Sequence, residues 1–309
     1  MSYPPVFPLR PLSRVKWYRQ TPPAIFPPLL GVLALGLAWR NAGAAFGIPA
    51  GVVEMVLGAA TLCWVWAAFA YGVKVSLRPA VLLDELKTLP GRAGLAALMM
   101  SIYAAAAVLI PYAPGLGAGL LLVGLGLHFG LVALVVTVLW QAGPEARVVT
   151  PVWHLSFAGF ILAALPAAAL GWDGMVRVIF WATLPVAGLV WAVSLWQILR
   201  RIPPLPLRPL LAIHLAPVAL IGMVAASLGL ESLALGLAVA GAVLLAVLVV
   251  SLRWITGAGF SAFWGAFTFP LSAYAGFLLS LDGGWRVAGA LLLVLATLIV
   301  PPIAVKIAQ

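Results

Sequence analysis

The chain is short of acid: Asp and Glu number 7 in 309 residues, against 17 Lys and Arg. Of these charged residues only Glu54 lies well inside an apolar stretch, and the rest sit in or beside the connections. A single cysteine, Cys63, excludes a disulfide or a Cys-based metal site within one chain. There is no Gly-rich phosphate loop, no His-Glu-x-x-His helix, no aspartate pair for a metal and pyrophosphate, and no Ser with an acid and a buried His in order. Ser156, two residues after His154, reads as a chance neighbour. The chain is therefore expected to be no enzyme and to hold no metal or cofactor. Alternation at period two is also missing, which argues against a barrel of strands.

What the chain has instead is apolar length. Hydrophobic residues make up 65% of it and charged residues 8%, far from the balance of a soluble domain. A helix needs about 20 mainly apolar residues to cross a bilayer. The sequence offers ten such segments: 22–39, 46–73, 93–112, 115–141, 150–170, 178–199, 209–230, 232–252, 257–281 and 287–305. The expected fold is an all-α integral membrane protein with ten transmembrane helices as five hairpins. Residues 22–305 make one membrane domain, flanked by a basic segment 1–21 and a short tail 306–309. The first segment carries Arg10, Arg14, Lys16 and Arg19 with no apolar core or small-residue cleavage site, so it does not read as a removable signal. Its Trp17 and Tyr18 suit the headgroup zone.

Charge sets the orientation, because Lys and Arg near helix ends are retained on the cytoplasmic side. With the N-terminus inside, 14 basic residues fall on the inner side and only Arg40, Arg177 and Arg286 on the outer side. An odd number of crossings scrambles this alternation, so the count supports both termini in the cytoplasm. The net charge of +10 then reports topology and an anionic leaflet, not nucleic acid.

The outer connections are short and the inner ones include the long 74–92 stretch and the proline-rich 200–208 turn. Helices therefore pair as hairpins closed on the outside, at a spacing of about 50 residues. In a ring of five hairpins, one helix of each faces inward. The odd helices are the candidates: they contain no Asp or Glu, and they carry Pro27, Pro28, Pro166, Pro217 and Pro270 along with His154 and His214. A proline in a membrane helix frees a carbonyl and bends the axis, which is tolerated where a neighbour or water meets the freed group. The even helices have Pro49 and Pro185, so proline alone does not separate the two sets.

The run Phe263-Trp264-Gly265-Ala266-Phe267-Thr268-Phe269-Pro270-Leu271-Ser272-Ala273 resembles the ninth helix of the tellurite-resistance/dicarboxylate transporter family, which includes bacterial and plant guard-cell anion channels. Phe26-Pro27-Pro28-Leu29-Leu30-Gly31 in the first helix, His214-Leu215-Ala216-Pro217 in the seventh and Leu252-Arg253 closing the eighth fall in matching order. The third helix departs from it, with Met99 and Met100 where the family has a kinking proline. The resemblance implies a homotrimer in a bacterial inner membrane. Each subunit would hold a pore lined by the odd helices, kinked at Pro28, Pro217 and Pro270 and blocked by Phe269, with Phe267 as the next candidate. It implies small inorganic or organic anions as cargo. The alternative is a proton-coupled carrier for C4-dicarboxylates such as malate, for tellurite or for sulfite.

Anion selectivity has its own support, since cation pathways place carboxylates along the route and the odd helices have none. Arg92, Arg147, Arg208 and Arg253 edge the inner mouth, and His154 and His214, about one turn in, are candidates for an anion vestibule. The positive-inside rule alone would also place those arginines there. Glu54, a membrane-embedded acid, is expected to be structural, with proton coupling as the other reading.

Overall fold

In lipid every backbone N–H and C=O needs an internal partner, and long apolar runs meet that demand by coiling. The computed structural model describes residues 21–309, which are 86% helical with no strand among them. The basic residues from Arg10 to Arg19, with Trp17 and Tyr18, lie outside the described residues.

After a 3₁₀ turn at Pro23–Ile25 the helices are α1 (Phe26–Phe46), α2 (Ala50–Leu77), a short α3 (Ala80–Leu86), α4 (Leu89–Leu109) and α5 (Pro114–Gln141). A broken segment follows, with a π turn at His154–Ala158, a 3₁₀ stretch at Gly159–Ala163 and α6 (Ala164–Ala169). Then come α7 (Asp173–Arg200), a 3₁₀ stretch at Leu205–His214 leading into α8 (Leu215–Ser227), α9 (Glu231–Val250) and a four-residue α10 (Leu252–Ile255). A 3₁₀ stretch at Ala262–Phe267 leads into α11 (Thr268–Leu279), and α12 (Gly284–Ala308) ends the chain.

Nine of these helical stretches among the described residues are long and apolar enough to cross a membrane. The tenth expected span is the broken apolar segment His154–Ala169. Several boundaries also move by a few residues, and two of them matter. α1 runs on to Phe46, which places Arg40 inside the helix and not in the connection, and α7 starts at Asp173.

Burial divides the helices into two sets. Within an 18-residue window, 50% of Pro23–Phe46, 83% of α4, 78% of Leu205–Ser227 and 72% of Ala262–Leu279 is buried, against 22–33% of α2, α5, α7, α9 and α12. The contact pattern explains why. Each hairpin packs on itself (α1 with α2, α4 with α5, α6 with α7, α8 with α9, α11 with α12), while the inner segments touch their neighbours in chain order. α1 packs on α4, α4 on the 154–163 segment, that segment on α8, and α8 on α11; α11 then closes the ring on α1. The core is this ring of five inner segments. The other five helices cover it and turn Leu62, Trp140, Leu189, Val250 and Leu291 outward.

Close approach within the ring depends on absent side chains. A Cβ on Gly31 of α1 would lie 2.4 Å from the Thr268 side chain of α11, so the α1–α11 contact requires glycine there. The Thr268 hydroxyl lies 2.7 Å from the Gly265 carbonyl and 3.2 Å from the Pro27 carbonyl of α1, which fixes the start of α11 against the start of α1.

Candidate functional site

Three of the inner segments enter the core in loose helical form and become α-helical only part-way. In each, a proline is the third residue of the α-helix: Pro166 in α6, Pro217 in α8 and Pro270 in α11. The first N–H groups of a helix have no intrahelical partner, so proline there breaks no bond. Pro28 stands likewise in the first turn of α1. These prolines therefore mark where the α-helices begin, at the junction with 3₁₀ or π geometry. α4, which lacks such a proline beyond its first turn, is an unbroken helix past Met99 and Met100.

Phe269 is the residue before Pro270. Its ring is only 3% exposed and borders a cavity of about 520 Å³, a figure that includes the open space at the mouth. All five inner segments contribute to the wall, through Leu30, Ala97, Leu155, Ile213 and Phe269 among others. The lining comes from the first turns of those segments, so the cavity lies toward the side where Lys74, Arg92 and Arg208 sit. Phe267 takes a different place. It lies edge-on to Trp264 and packs against the Ala212, Leu248 and Ile255 cluster.

His154 and His214 come together, with Nε2 of the first 3.0 Å from Nδ1 of the second and the rings nearly perpendicular. Both are buried, Trp191 packs on His154, and the Trp191 indole N–H donates to the His214 carbonyl at 3.3 Å. Neither ring borders the Phe269 cavity. His154 lines a second, smaller one, and Leu155 lies on both.

The basic residues expected at the inner mouth are engaged to different degrees. The Arg208 guanidinium donates to the carbonyls of Pro203 and Trp254, both at 3.2 Å, and stacks on the Trp254 ring. Arg147 caps the last carbonyls of α5, at Leu139, Trp140 and Ala142. Arg92 donates to the Leu86 carbonyl at 3.3 Å. Arg253 is exposed, with no side-chain hydrogen bond among the described residues.

A comparison with protein families matches residues 20–307 to the family described as voltage-dependent anion channel. The chain belongs to that family. The match agrees with the tellurite-resistance/dicarboxylate resemblance of the ninth helix, and with a multi-pass membrane protein that transports anions. A search of curated proteins finds no match.

Within this anion-channel fold, Glu54 is engaged by Arg40. The Arg40 Nε and Nη2 reach the two carboxylate oxygens at 2.6 and 2.7 Å. The same guanidinium donates to the carbonyls of Ala107 and Val108 at the end of α4. A hydrogen bond to Glu54 also pushes the Tyr112 phenol up from its usual range. His128, which the sequence did not single out, ties three elements together. Because the Ser156 carbonyl only accepts, His128 Nε2 carries the proton toward it at 3.1 Å, leaving Nδ1 to accept the Tyr103 hydroxyl at 3.0 Å. Nothing in the chain signalled this, because Tyr103, His128 and Ser156 lie on three separate segments that meet only in the fold.

Proposed function

We propose that the protein conducts small anions across a bacterial inner membrane, through a pathway enclosed by the five inner segments of each subunit and closed at Phe269. The observation that carries this reading is the cavity to which all five inner segments contribute and which the buried Phe269 ring borders. A phenyl ring in a narrow apolar passage fills the cross-section and disfavours water, and hydrophobic constrictions gate ions in this way. The inner segments contain no Asp or Glu, which favours anions, and Arg208 and Arg253 supply positive potential at the mouth. Pro28, Pro217 and Pro270 set the junctions about which the inner segments bend. Both termini are placed in the cytoplasm and the subunits as a homotrimer, with lipid against the outer helices.

Conduction is favoured over coupled carriage because of Glu54. It is the one acid within a described span that is not at the first residue, and Arg40 holds both its oxygens. A carrier places its coupling group at the midplane binding site. Reversal potentials under anion substitution, recorded from reconstituted bilayers, test the reading. Resolved unitary steps whose reversal follows the anion gradient are expected. Cation-following reversal or turnover without steps overturns it.

A further inference from the structure

His154 presents a buried nitrogen with nothing to bond. Its Nε2 shares a proton with His214 Nδ1 at 3.0 Å, while its own Nδ1 is buried and has no hydrogen-bond partner in the structure. The ring borders a narrow cavity of about 190 Å³, a figure that includes the open space at its mouth, between Met100, Leu155, Ala158, Pro217 and Leu220, where it is the only polar side chain. The walls come from α4, the broken 154–163 segment and α8, three neighbours in the ring.

Proton counting shows what such a pair can hold. Two neutral imidazoles carry two ring protons on four nitrogens, and one of them lies in the shared bond. If His214 donates, His154 Nδ1–H is a donor with no acceptor; if His154 donates, its Nδ1 is a lone pair with no donor. A third proton makes the pair an imidazolium–imidazole with an N–H at Nδ1. A lone charge in that apolar wall is expensive, and a single negative ion beside it removes most of the expense.

We infer that the His154–His214 pair is a binding station for one small monovalent anion, taken up together with one proton. The balance is one proton and one anion onto a neutral pair, so occupancy rises as pH falls.

Other titratable groups on the packed elements do not supply this charge. They are Arg92 and Tyr103 on α4, His128 on α5, Arg208 on the 3₁₀ stretch that ends in His214, Arg253 on α10, Tyr274 on α11, and Asp173, Arg177 and Arg200 on α7. Tyr103 is engaged with His128, His128 with Ser156, and Tyr274 with the Ala238 carbonyl. Asp173, the only carboxylate among these groups, is at the far end of α7, about 27 Å along the axis from Trp191. No carboxylate bonds either ring among the described residues.

The inference rests on the proposed pathway as the route by which the anion arrives, so its test reads binding separately from current. Purified full-length protein is melted in sodium nitrate or sodium gluconate of equal ionic strength, at pH 5.5 and at pH 8. At nitrate tenfold above its Kd, a rise in Tm of about 3 °C is expected at pH 5.5 and none at pH 8. His154→Gln and His214→Gln are expected to lose the acid-dependent rise, and His128→Gln to keep it. A nitrate effect equal at both pH values in the unmutated protein overturns the station, as does its persistence in a folded His154→Gln variant. The unmutated protein decides the first point even if a variant fails to fold. Nitrate stabilisation with no anion current in bilayers leaves the station and removes the pathway. Anion current without stabilisation does the reverse.

Discussion

Arg40 and Glu54 meet side-on near the turn that joins α1 to α2, in a paired contact of 2.6 and 2.7 Å. Because Arg40 also donates to the carbonyls of Ala107 and Val108, this contact ties the first hairpin to the end of α4. Both side chains keep some exposure, 22% and 27%, which limits what the pair contributes.

Glu54→Gln is accordingly expected to lower stability by about 1 kcal/mol while anion flux persists. Thermal melting and flux in the same proteoliposome preparation check this. Loss of flux from a normally assembled variant would count for a coupling role instead.

Phe269→Ala is expected to give steady anion conductance in a protein that is otherwise nearly silent. If the ring only packs the core, the change costs about 3–5 kcal/mol and yields no current. Melting and bilayer recording on one sample separate the two outcomes by sign. A closed but well-folded variant would place the gate elsewhere, and the packing of Phe267 away from the cavity makes that residue a poor replacement.

Pro270→Ala is expected to cost little stability, since the third residue of α11 has no intrahelical N–H bond to restore. It should change how often the channel opens more than the size of each step. Single-channel records that show altered step size at unchanged open probability contradict this.

At the mouth, Arg253→Gln is expected to reduce current more at low salt than at high salt, because screening removes long-range attraction. Arg208→Gln should show the same salt dependence and also a lower Tm, because it loses the Pro203 and Trp254 carbonyls and the Trp254 stack. A salt-independent loss in Arg253→Gln would point to folding damage.

Gly31→Ala tests the α1–α11 approach. The added methyl meets Thr268 at 2.4 Å and its backbone carbonyl carbon at 2.8 Å, so a loss of about 1–3 kcal/mol is expected. An unchanged Tm would mean that the two helices separate easily.

Much of the fold was legible in the chain. Apolar length gave the spans, the acid-free odd segments pointed inward, and the burial of α4, α8 and α11 agrees with that division. The resemblance of the Phe263–Ala273 run identified the family before any geometry, because it is a specific local string. The broken course of residues 154–169 was less legible, since hydropathy is blind to whether an apolar stretch coils as α, 3₁₀ or π. Arg40 was read as a connection residue for a related reason. Its charge marked a boundary, while α1 continues past it and Glu54 of α2 meets the guanidinium there.

Class and family were written in the chain alone, since each depends on composition or on short strings that need no partner. Only the tertiary structure decided which residues meet. His154 and His214 lie 60 positions apart, and Gly31 and Thr268 lie on the first and last inner segments. Their pairing follows from closure of the ring, in which α11 returns to α1, and a closure of that kind is a property of all five segments packed at once.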